Sequence, residues 1–154
     1  MKAVSALTAA AALLLAGQST AQDAFDADFC ASLQTAIAAA SQPEPFASLR
    51  QDPTKAQGYT TLTLPGFERC YAGRMGASPP GVPTYVCRKR EAPADFTRNS
   101  LAAKASACLG QEAQVDSYAA LYFTVDPARV SVEEVGAAKR MVTFSVTVPP
   151  KTAE

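Results

Sequence analysis

The chain has 154 residues, four cysteines, no histidine and no tryptophan, and its 14 basic side chains are balanced by 14 acidic ones. That length suits one small domain. Without histidine, the usual neutral-pH proton relay, Ser-His or Cys-His activation and His-containing metal clusters are excluded, and the charge balance argues against a nucleic-acid binder.

Met1 and Lys2 precede an almost uninterrupted apolar stretch over residues 3–16, and Ser19-Thr20-Ala21 supplies small residues after it. This pattern predicts a secretory signal peptide over 1–21, cleaved after Ala21. The bland alternative is a buried N-terminal helix. The stretch is short for a membrane span, which takes roughly 20 residues, so no span is expected. A single domain over 22–150 and a flexible tail over 151–154 follow. Loss of Lys2 leaves 13 basic and 14 acidic groups, a net charge of −1. The expected location is the periplasm or the extracellular medium.

Cys30, Cys70, Cys87 and Cys108 all fall in that domain, with no Cys-x-x-Cys pair. An even count in an exported chain predicts two structural disulfides rather than a zinc ribbon or a redox pair. One pairing joins Cys30 to Cys108 across two helices and Cys70 to Cys87 across strands. Another joins Cys30 to Cys70 and Cys87 to Cys108, tying each helix to the sheet. Sequence leaves both open, with a slight lean to the second.

Residues 29–40 have helical spacing, with Cys30, Leu33, Ile37 and Ala40 forming one apolar stripe and Asp26 or Asp28 available as the cap. Residues 59–64 alternate like a strand, and extended character resumes over 67–72. Three glycines and three prolines over 73–83 predict an exposed loop. Residues 82–90 read as a strand near the middle of a sheet, with Tyr85 and Cys87 on one face and Arg88-Lys89-Arg90 at a charged end.

A second helix is expected after Pro93, with Asp95 or Thr97 as cap and Gly110 as terminator. Two strands close the chain, one over 118–125 and one over 140–148. In the latter, Val142, Phe144, Val146 and Val148 alternate with polar residues. Asp126-Pro127 breaks the first run, and residues 126–139 are expected to connect the two.

The order helix, two or three strands, helix, two strands predicts an α+β two-layer sandwich, an antiparallel sheet with both helices on one face. A small all-β barrel is the runner-up.

Charge is uneven along the chain. Residues 69–104 carry seven basic and two acidic groups, net +5, between segments of net −4 and −2. Clustered in space, that block would steer an acidic partner. The candidate binding residues are Arg74 and Met75, in a loop the cysteines would restrain, and Arg88, Lys89 and Arg90. No catalytic residue, metal or cofactor is expected, and no nucleic-acid partner. The expected function is a non-catalytic exported binding or accessory protein acting on another envelope or extracellular protein. The alternative is a small histidine-independent hydrolase or small-ligand carrier, which would need a concave site with converging charged groups.

Overall fold

The computed structural model describes residues 21–76 and 80–150. The expected signal peptide, Ala21 apart, lies outside the described residues, as do the expected tail over 151–154 and Ala77, Ser78 and Pro79. Helix α1 (Ala21–Ala40) is followed by a 3-10 turn (Ala47–Leu49), β1 (Gly58–Tyr59), β2 (Cys70–Met75) and β3 (Val82–Arg90). Helix α2 (Arg98–Leu109) leads into β4 (Gln114–Val115), β5 (Leu121–Val125), β6 (Ala128–Val135) and β7 (Met141–Thr147). The strands form one sheet in the order β1-β2-β3-β7-β6-β5-β4, and every neighbouring pair is antiparallel. Two meanders, each preceded by a helix, join where β3 pairs with β7 from Thr84↔Thr147 to Arg90↔Met141. The α+β architecture expected from sequence is the one observed.

Strand alternation sends one set of side chains under the helices. Tyr85 and Cys87 of β3, Val142, Phe144 and Val146 of β7, and Val130 and Val132 of β6 are all 0% exposed. Registers Cys87↔Phe144↔Val132 and Tyr85↔Val146↔Val130 place them in adjacent rows. Helix α1 closes over these rows with the Phe29 ring edge-on to Phe144 at 5.6 Å between centroids. Helix α2 packs Leu101, Ala102 and Ala105 inward, over β5 and β6. Burying each large apolar side chain stabilises the fold by about 2 kcal/mol.

Four local expectations are corrected. Helix α1 runs two turns upstream of residue 29, and its buried stripe is Phe29, Leu33, Ala36 and Ala40. The larger Phe29 takes the inward position, which turns Cys30 to the helix flank, and Asp26 pairs with Lys104 of α2 instead of capping. Of residues 59–64 only Tyr59 belongs to a strand, although Leu64 is fully buried. Both ends of the expected loop over 73–83 are strand, since β2 runs to Met75 and β3 starts at Val82. The expected connection over 126–139 holds β6, because Asp126-Pro127, a cis peptide, is the two-residue turn of a β5–β6 hairpin closed by Val125↔Ala128.

The disulfides are Cys30–Cys108, with Cα atoms 5.3 Å apart, and Cys70–Cys87, at 4.2 Å. The slightly preferred helix-to-sheet pairing is therefore wrong. Cys70 and Cys87 are direct register partners across β2 and β3, so they meet each other, and the two helices lie side by side.

At the start of α2 the Thr97 side chain accepts from Ser100 N at 3.0 Å and the Ser100 hydroxyl accepts from Thr97 N at 3.0 Å, forming a capping box. Glu134, from the supposed connector, adds a second cap: its carboxylate accepts from Arg98 N at 2.8 Å and Arg140 Nε at 2.7 Å. The Arg98 N–H and then the Arg140 guanidinium hold its carboxyl below the ordinary value of 4.5. A pKa lowered by folding contributes stability that is present above the ordinary value and is lost as pH falls through the lowered one. Glu134→Gln is expected to cost about 1 kcal/mol at neutral pH. In urea unfolding at stepped pH, that difference from wild type should close below pH 4.5. A difference that persists in acid would show that the charge is not its source.

Candidate functional site

The helices cover one face of the sheet, and the other carries the alternate residues of every strand. Across its β1–β3 end, pairing aligns Tyr59, Tyr71 and Val86 in one row. Tyr59 and Tyr71 meet edge to face at 6.1 Å, and the Arg69 guanidinium lies 5.5 Å from the Tyr59 ring centroid. Tyr59, Arg69, Tyr71, Met75, Val86 and Arg88 line an open cleft of about 260 Å³. A neighbouring depression of about 390 Å³ shares Tyr59, Arg69 and Arg88 and adds Glu68, Lys89 and Arg90.

Charge at this end is not internally neutralised. Glu68 is taken up by Lys89, Nζ to Oε1 3.2 Å. Among the described residues, Arg69, Arg88 and Arg90 take part in no ion pair. Three guanidiniums around an aromatic and apolar floor can fork onto carboxylates while their planes stack on tyrosine. Such a surface suits a ligand that is acidic and partly apolar.

The sequence candidates divide between the two faces. Met75 and Arg88 line the cleft, Arg90 extends it, and Lys89 stands in the depression held by Glu68. Arg74 does not join them. Strand alternation turns it to the face opposite Met75, where it lines a small cleft with Glu44, Arg50 and Pro83 and donates to Gly81 O at 3.2 Å. The cleft also holds Tyr59, Arg69 and Tyr71, which the sequence alone does not single out. Tyr71 carried a usable signal, an aromatic next to a cysteine in a six-residue strand, where period two exposes one of the pair.

Among the described residues, no helix is long and apolar enough to cross a membrane, and no group of three or more Cys, Asp or Glu could hold a metal ion. No family model matches the chain, and no curated protein or solved structure matches it.

Proposed function

We propose that the protein is a non-catalytic exported binding or accessory protein that engages an acidic surface of another envelope or extracellular protein. It does so through the Tyr59–Arg69–Tyr71–Arg88 end of the uncovered sheet face. The observation that carries this reading is the set of three guanidiniums without carboxylate partners beside an aromatic cleft on a paired, rigid sheet. The paired strands fix where these side chains emanate, and their field attracts an oppositely charged partner. Two disulfides support export to the periplasm or beyond, because such bonds persist in oxidising compartments. The charged groups converge on an open face and not in an enclosed pocket, which favours docking over a hydrolase or small-ligand carrier.

The test uses a fluorescent peptide of alternating glutamate and tyrosine together with capture from the native envelope fraction. Wild type should bind the peptide with an affinity that falls as salt rises. Arg69→Glu with Arg88→Glu should weaken it at least about tenfold, whereas Arg74→Glu, on the other face, should not. Proteins captured by wild type and lost by the double reversal should be acidic. Equal binding by wild type and the double variant would remove the proposal.

A further inference from the structure

The two disulfides differ sharply in access. Cys70 and Cys87 are 2% and 0% exposed, although Cys70 also borders the arginine cleft. Cys30 and Cys108 are both half-buried. They line a groove of about 560 Å³ between α1 and α2 whose walls include Asp26, Ala103, Lys104 and Ala107. On the α2 side the groove is flanked by the exposed methyl groups of Ala103 and Ala107 together with Ser100 and Lys104.

We infer that Cys30–Cys108 is a site of thiol–disulfide exchange, and that the α1–α2 groove receives the reactive loop of a dithiol oxidoreductase. Exchange requires a thiolate to reach one sulfur of the bond along its axis, and this pair is the more exposed of the two. The groove is largely apolar, which suits a loop that must shed water as it docks. Lys104 lines the same groove, paired to Asp26 and lying 4.9 Å from the Phe25 ring centroid, so the groove carries a neutralised charge pair beside its apolar wall. Opening the bond does not require unfolding. Phe29, Leu33 and Ala36 of α1 are fully buried, so packing as well as the bond holds the helix in place.

The chemistry balances within the pair of reactants. A partner thiolate attacks one sulfur, the Cys30–Cys108 bond breaks as a mixed disulfide forms, and the other sulfur leaves as a thiolate. The partner's second thiol then displaces the mixed disulfide. The partner ends oxidised, and Cys30 and Cys108 end as thiols, two electrons having passed from one dithiol to the other. The groove is on the helix side of the sheet, away from the arginine cleft, so this inference and the proposed function can fail separately.

The folded, oxidised protein is mixed with a thioredoxin whose resolving cysteine is replaced by serine, and adducts are mapped by mass spectrometry. The mixed disulfide should form at Cys30 or Cys108 while Cys70–Cys87 stays intact. Ala103→Phe with Ala107→Phe should slow adduct formation about tenfold but change the rate with dithiothreitol less than about twofold. Adducts at Cys70 or Cys87 at a comparable rate, or none before denaturation, would refute the exchange site. Unslowed adduct formation by the filled variant would refute the docking groove.

Discussion

Phe144→Ala is expected to lower the free energy of unfolding by about 4 kcal/mol, the loss of a large ring's transfer energy plus that of an unfilled cavity. Phe144 sits in β7, at the middle of the sheet between Cys87 of β3 and Val132 of β6, and is 0% exposed. The Phe29 ring meets it from above, so truncation also removes the main ring contact between α1 and the sheet. Neighbouring backbones are held in the ladder on both sides and cannot move in to fill the space. The adjacent Thr143, on the uncovered face, provides the comparison: Thr143→Ala should change stability by less than about 0.5 kcal/mol. Urea unfolding of the two variants measures both. Similar losses for Phe144 and Thr143 would mean that the helices do not seal one face as described.

The same contrast explains what a reader of the sequence can recover. In β7, Val142, Phe144 and Val146 alternate with Thr143, Ser145 and Thr147, and in β3 Tyr85 and Cys87 share a face, so period two announces strand and core together. Thr97 and Gly110 bracket α2 because capping chemistry is local to the residues that do it. Pairing is not local. Val130 and Val132 of β6 alternate equally well with Arg129 and Ser131, but Asp126-Pro127 reads as a break unless one knows that it is a tight hairpin turn. The buried stripe of α1 keeps the expected Leu33 and Ala40 but has Phe29 and Ala36 where Cys30 and Ile37 are expected, because alanines on several sides leave the helix without a sharply apolar face.

The candidate site was legible in part for the same reason. Arg88 and Arg90 follow from one continuous strand, but Tyr59 reaches Tyr71 only through a two-residue strand, too short to carry a pattern. Arg74 and Met75, adjacent in sequence, are expected together in one loop. A strand there sends them to opposite faces, so only Met75 joins the cleft.

Replacing Cys30 and Cys108 by alanine should cost about 4 kcal/mol, most of it through the unfolded chain. The bond closes a loop of 78 residues against 17 for Cys70–Cys87, and the entropy withheld from the unfolded state grows with the logarithm of that length. Chain entropy alone would put the shorter bond near about 3 kcal/mol. A mechanism acting on the unfolded chain has a signature that loss of a native contact lacks. The freed chain expands on denaturation and exposes more surface, so the urea m-value should rise as the midpoint falls. A lower midpoint at unchanged m would place the bond's contribution in native packing between α1 and α2. The exchange site proposed for the groove sharpens the consequence. A domain of this size has about 5–15 kcal/mol of total stability, so opening Cys30–Cys108 would leave it folded yet far closer to its unfolding threshold. The oxidation state of one groove-facing bond would then set how firmly α1 is held to α2, with Cys70–Cys87 remaining as the cross-link that keeps the β2–β3 hairpin, and the arginine cleft built on it, in place.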